Sequence, residues 1–275
     1  MGGPFVRPSR RRWSAVLGVV ALLSVAAAQV SAEEPLDDVL GDPGITYPDL
    51  RPNTKNFWVN TFAGPPVIEF DTLSANLGSV PLQVTAQPSD DPLNPNVSQC
   101  VSWYDDHVCR AQEPVGGFTW HDEHTHFHFE DFATYSLRRV LPDGTPDYSS
   151  AGLISVSEKV SFCLIDIEQY DTDKASPTPF YTLANCYAPV VMGISPGWAD
   201  NYDASLDGQE LSLTGVTDGT YALIIDQDPA NRLYETDDTN NRVVATFNLT
   251  GMGTAFPQAV ITDRQWPAVG GGGGT

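Results

Sequence analysis

Trp120-His-Asp-Glu-His-Thr-His-Phe-His128 runs on through Phe129 to Val140 as a stretch of short alternating character. Side chains of a β-strand alternate between its faces, so residues two apart share one. His124, His126 and His128 are therefore expected to project from one side of a strand, with Thr125 and Phe127 turned to the other. Neighbouring members of the set would stand about 6.6 Å apart from strand rise alone, and a bend can bring all three imidazoles onto one ion. His121 adds a fourth ring, so four of the chain's five histidines fall within eight residues. A histidine stripe on a solvated surface is a poor account of that density. An all-imidazole set suits copper, zinc, iron or nickel, with Cu(II) binding most strongly; the residues alone do not choose among them.

Outward from this stretch, short runs rich in Val, Ile, Phe, Tyr and Thr recur between turn signals. They include Val67–Phe70, Val80–Thr85, Phe118–Trp120, Leu153–Ile165, Glu210–Leu213, Tyr221–Asp226 and Arg242–Leu249. Pro-Asp-Gly at 142–144 and Asp-Gly at 207–208 and 218–219 punctuate them. No window sustains a 3.6-residue period. The pattern predicts an all-β chain, an antiparallel β-sandwich-like domain with long loops and little helix. Residues 33–65, rich in Pro, Asp and Asn, are expected to wrap the core without much regular structure.

Residues 1–32 carry Arg7, Arg10, Arg11 and Arg12, an apolar run from Ala15 to Ala28, and small residues at Ser31 and Ala32. That is the layout of a cleaved secretory leader, too short for a membrane span. The expected organisation is a leader at 1–32, one domain at 33–265 and a flexible Gly-rich tail at 266–275. The protein is then exported, whether secreted, periplasmic or at the cell surface, with no membrane span in its mature form. The whole chain has 14 basic and 35 acidic residues, and loss of the four leader arginines leaves 10 against 35, a net charge of about −25. Such a field repels nucleic acid and draws in cations, protonated amines and basic peptides among them. Cys100, Cys109, Cys163 and Cys186 allow three disulfide connectivities. Pairing Cys100 with Cys109 and Cys163 with Cys186 closes two local loops and is the expected arrangement.

Trp-His-x-x-His-x-His-x-His resembles the copper segment of the lysyl oxidase family. The resemblance puts the copper ligands at His124, His126 and His128, with His121 beside them as a supporting group or additional ligand. One departure stands at Glu123, where the animal enzymes have a half-cystine; a carboxylate there could instead hydrogen-bond a histidine ring. Glu158-Lys159-Val-Ser-Phe-Cys-Leu164 resembles the family's Lys-Ala-Ser-Phe-Cys-Leu stretch, and Gly193-Ile-Ser-Pro-Gly-Trp-Ala-Asp-Asn-Tyr202 resembles its Ser-Pro-Gly segment. In the family the lysine and the final tyrosine of these segments are cross-linked into lysine tyrosylquinone, so the implied pair is Lys159 and Tyr202. The resemblance implies oxidation of primary amines, peptidyl lysine among them, by dioxygen to aldehydes, with release of ammonia and hydrogen peroxide. Lysine normally carries a proton, with a pKa of about 10.4, so Lys159 must be desolvated or held near positive charge to react. Asp200, two residues before Tyr202, is the expected catalytic base.

Tyr234-Glu-Thr-Asp-Asp-Thr-Asn-Asn241 resembles a calcium-binding stretch of the same family, which is completed there by an Asp-Leu pair near the domain's start. Asp49-Leu50 fits that pair. Oxygens of Asp49, Leu50, Glu235, Asp237, Asn240 and Asn241 suit Ca(II), a hard cation that takes six to eight of them. The leading expectation is a copper amine oxidase of the protein-lysine 6-oxidase type. The alternatives are an exported copper-binding or cell-surface β-sandwich without an assembled quinone, and a zinc hydrolase. The Lys159–Tyr202 pair argues against the first, and the absence of a carboxylate at metallopeptidase spacing argues against the second.

Overall fold

The computed structural model describes residues 46–62, 64–103, 109–157 and 161–267. The expected leader, Lys159 and all of the expected tail except Trp266 and Pro267 lie outside the described residues. Strands β1 (Leu50–Asn53), β2 (Phe57–Asn60), β3 (Val67–Phe70), β4 (Thr72–Asn76) and β5 (Leu82–Ala86) are short. They lead to the longer β6 (Asn96–Trp103) and β7 (Cys109–His121). Next come β8 (His126–Phe129), β9 (Ala133–Arg139), β10 (Leu153–Val156), β11 (Glu168–Gln169) and a 3-10 turn at Leu183–Cys186. The chain continues through β12 (Val191–Ile194), β13 (Trp198–Tyr202), β14 (Glu210–Ser212), β15 (Gly219–Gln227), β16 (Arg242–Thr250) and β17 (Gln258–Gln265).

Among the described residues every strand pairing is antiparallel. The strands form four sheets among the described residues, ordered β1-β4-β13-β11, β10-β9-β15-β16-β17, β12-β5-β6-β7-β8 and β14-β3-β2. The expected all-β class is therefore what the chain adopts. Strand alternation sets the core. β9 buries Ala133, Tyr135 and Leu137 and leaves the residues between them nearer solvent. Tyr221, Leu223 and Ile225 of β15 and Val243, Ala245, Phe247 and Leu249 of β16 face the same interior. Full burial of the Val, Leu, Ile and Phe side chains among them contributes about 1.5–3 kcal/mol each. Tyr135 also meets Phe70 edge-on, with ring centres 4.9 Å apart.

Both expected disulfides are present, with Cα separations of 5.7 Å for Cys100–Cys109 and 5.9 Å for Cys163–Cys186. Among the described residues no helix is long and apolar enough to cross a membrane.

Several boundaries differ from the sequence expectation, each for a local reason. The run from His126 to Val140 is two strands, separated by a turn in which Asp131 adopts φ 57°. Only Leu153–Val156 of the expected run to Ile165 is strand among the described residues. β1 and β2 lie in the segment expected to be irregular. β4, buried along its whole length, alternates only Leu73 and Ala75 with Thr72, Ser74 and Asn76, a short and weakly apolar pattern that does not announce burial on both faces. β7 carries Pro114, Gly116 and Gly117, residues that read as breakers; register shifts in its pairing with β6 accommodate them.

Candidate metal centre

β7 and β8 form a hairpin in which Thr119 pairs with His128, Trp120 with Phe127 and His121 with His126. Alternation then sorts the two faces. Trp120 packs edge-on against Phe127, ring centres 5.1 Å apart, on one face. The other face carries His121, His126 and His128. The expected strand does not extend to His124. Residues 122–125 are a turn, closed by the Thr125 N–H donating to the His121 carbonyl at 2.7 Å, and Thr125 sits at φ 56°. The turn nonetheless returns the His124 ring to the cluster, 5.7 Å from that of His126 and 5.3 Å from that of His128. The His121 ring stacks on His128 at 4.2 Å.

Two nitrogens stand out. The Nε2 atoms of His126 and His128 are 3.0 Å apart. His126 Nδ1 lies 2.9 Å from the His124 carbonyl, an acceptor only, so that nitrogen carries the proton and Nε2 presents a lone pair. Two ring nitrogens that share an ion at about 2.0–2.1 Å stand about 2.9–3.4 Å apart for bond angles of 90–109°. The observed pair fits adjacent ligands of one metal. Among the described residues no three His, Cys, Asp or Glu side chains converge as a closed metal cage. The arrangement is a two-nitrogen clamp with the His124 ring beside it. Burial, followed by the neighbouring His124 and His121, lowers the His126 pKa against the His124 carbonyl's opposing pull, which favours the neutral ring a metal requires.

Glu123 is exposed in the turn, and among the described residues it is Glu130 that comes to 3.9 Å from His121 Nε2. Ser161, a residue the motif reading passed over, lies 3.3 Å from both His128 Nδ1 and His121 Nε2. Its neighbour Phe162 exchanges two backbone hydrogen bonds with Phe129, at 2.7 and 3.1 Å. One residue further, the Cys163 N–H donates to the Tyr202 hydroxyl at 2.7 Å, and its carbonyl accepts from that hydroxyl at 3.3 Å. Tyr202 also meets Phe162 edge-on at 4.7 Å. Burial and then the charge of Asp200 push the Tyr202 phenol well above its ordinary pKa, against the Cys163 hydrogen bond. Asp200 itself is buried, on the same face of β13 as Tyr202 and paired with Ser74 of β4.

The expected calcium residues also meet. Glu235 accepts from the Leu50 N–H and the Asn241 amide, both at 2.7 Å, and the Asn240 amide donates to Asp49 at 2.8 Å. The side-chain carbonyl oxygens of Asn240 and Asn241 are buried and unpartnered. Burial drives the Glu235 pKa well upward, with the charges of Asp228 and Asp49 adding to it. A divalent cation would relieve both conditions, so the donor set fits calcium. The Asp237 carboxylate departs from the set: it is exposed and holds the Thr239 hydroxyl at 2.6 Å and the Thr239 N–H at 2.9 Å. Gln227, whose backbone N–H donates to the Asn241 carbonyl, is buried with both amide atoms unpartnered. A lone glutamine at a strand end gave no sequence signal.

The family profile for lysyl oxidase matches residues 96–258, more than half of the chain. That span holds the histidines, Lys159, Tyr202 and Glu235–Asn241, and leaves out Asp49 and Leu50. Protein-lysine 6-oxidase of Gallus gallus is 31% identical over 139 residues, covering 50% of this chain and 29% of the relative. The Sus scrofa protein of the same name is 30% identical, covering 50% and 49%. Lysyl oxidase homolog 1 of Homo sapiens is 32% identical over 141 residues, covering 50% and 21%. The chain thus spans less than half the length of these relatives.

Proposed function

The chain belongs to the lysyl oxidase family, and on that footing we propose that it is an exported, copper-dependent oxidase of primary amines. One primary amine, one dioxygen and one water would give one aldehyde, one ammonia and one hydrogen peroxide. The observation that carries this reading is the segment Ser161–Cys163, which touches the histidine cluster at one end and the Tyr202 hydroxyl at the other. A protein that only stored a metal would have no need to hold a half-buried phenol on the backbone beside it.

His126 and His128, with His124, would hold Cu(II), and Lys159 with Tyr202 would furnish lysine tyrosylquinone. When present, these groups supply dioxygen-dependent redox chemistry and an electrophile for an amine. The protein's own residues do the positioning. The His124 carbonyl sets the His126 tautomer. The backbone of Cys163 fixes the direction of the Tyr202 hydroxyl and, through Cys186, is anchored to the 3-10 turn. Asp200 would be the proton acceptor, a carboxylate on the face of β13 that carries Tyr202. The acidic surface would concentrate cationic amines and basic peptides near the site. Ca(II) would join Asp49 and Leu50 to Glu235, Asn240 and Asn241, with Asp237 turning inward.

The test is the visible spectrum of the copper-loaded, aerated protein after addition of phenylhydrazine. A hydrazone band that vanishes in Lys159→Ala and in Tyr202→Phe is the expected result. Bound copper without a band would move the protein to the copper-binding class.

A further inference from the structure

Ser161 sits where two rings of the cluster meet, and its hydroxyl has one proton to give and lone pairs to receive. It is buried, and its oxygen is 3.3 Å from His128 Nδ1 and 3.3 Å from His121 Nε2. The His128 Nε2 atom is the one that faces His126. We propose that Ser161 is a positioning residue for the metal centre: it accepts the His128 Nδ1 proton and donates its own to His121 Nε2. This rests on the copper reading above. Its consequences concern both histidines. His128 is held in the tautomer whose Nε2 lone pair points into the clamp. His121 Nε2 is occupied by the serine proton, so His121 supports the site by stacking on His128 and does not ligate through Nε2. The serine also stands two residues after Lys159 in the sequence.

Cu(II) binding to the full chain, followed by competition titration and electron paramagnetic resonance, tests the assignment. Outer partners of metal-bound histidines typically contribute about 10–100-fold in affinity. Ser161→Ala is expected to weaken Cu(II) binding by that factor and to alter the copper hyperfine pattern, while Ser161→Thr, which keeps the hydroxyl, restores both. Unchanged affinity and spectrum in Ser161→Ala would overturn the proposal. So would equal losses in the alanine and threonine variants, since packing would then be the cause. A readout on the unmutated Zn(II)-loaded protein covers the case in which the alanine variant does not fold. The His128 Nδ1 proton is expected as a slowly exchanging imidazole resonance, and its absence overturns the assignment. Failure of the copper reading looks different: the unmutated protein binds no Cu(II), or His128→Ala binds it as tightly as the parent, and the proposal falls with it.

Discussion

The histidine hairpin and the carboxyl-terminal clasp are both polar clusters suited to a metal, but they are built over very different chain distances. His121 to His128 lie in one β-turn-β unit, and a cross-strand pair places His121 opposite His126. The clasp joins Leu50 to Glu235 across 185 residues and Asp49 to Asn240 across 191. The hairpin can assemble from local contacts and is completed by one outside segment at Ser161. The clasp exists only once β1 has been brought to the chain that follows β15, so it reports on the closed fold. One cluster is therefore expected to govern chemistry, and the other stability.

The largest expected effect would break this comparison if it failed. Loss of a clamp nitrogen in His128→Ala should weaken Cu(II) binding beyond the roughly 100-fold ceiling for outer partners, measured by competition titration, with calcium-dependent melting unchanged. Next, Ca(II) at 100 times its dissociation constant should stabilise the fold by about 2.7 kcal/mol, seen as a rise in melting temperature. Glu235→Gln should remove most of that rise and leave copper affinity alone. A chain with no melting response to Ca(II) would reduce the clasp to a polar turn.

A smaller effect sharpens the hairpin side. Thr125 is β-branched and left-handed at φ 56°, a conformation that costs an L-residue about 1–2 kcal/mol. Thr125→Gly relieves it at an entropic cost of about 0.5–1 kcal/mol, for a net gain of up to about 1.5 kcal/mol in chemical unfolding. Weaker Cu(II) binding in that more stable variant would show that the strained turn aims His124. The smallest effect lies beside the clasp. Burial raises the Asp228 carboxyl above its ordinary 3.8, against hydrogen bonds from the Arg232 and Leu233 N–H groups. Its protonated form is favoured in the folded state, so its stabilising contribution is complete below pH 3.8 and is lost as pH rises through the raised folded value. Asp228→Asn should flatten that part of the stability-versus-pH curve.

Legibility in the sequence followed this local-to-distant order. The alternation of His126 and His128 showed that both rings share a face, because strand geometry leaves no other choice. It could not reveal that His124 sits on a turn, since the positive φ of Thr125 has no signature in a residue type that usually avoids it. Phe70, Tyr135, Leu223 and Phe247 lie in runs recognised as strands, whereas β4, with only Leu73 and Ala75 alternating among polar residues, gave no sign that its Thr, Ser and Asn side chains are buried too. Ser161 was passed over because a serine within a matched motif looks no different from a serine in any strand.

The sequence by itself determined the all-β class, the even set of four cysteines with two closely spaced pairs, and the density of imidazoles around His121–His128. These depend on residue type and short spacing, which backbone geometry converts directly into faces and loops. Only the tertiary structure decided the 3.0 Å meeting of His126 and His128, the placement of Ser161 between two rings, the hold of Cys163 on the Tyr202 hydroxyl, and the closure of Asp49 and Leu50 on Glu235–Asn241. Those contacts depend on how separate sheets pack around one core, and hydrophobic burial, which drives that packing, is not directional. The polar partners are therefore selected by the finished geometry, after the apolar pattern has closed the fold.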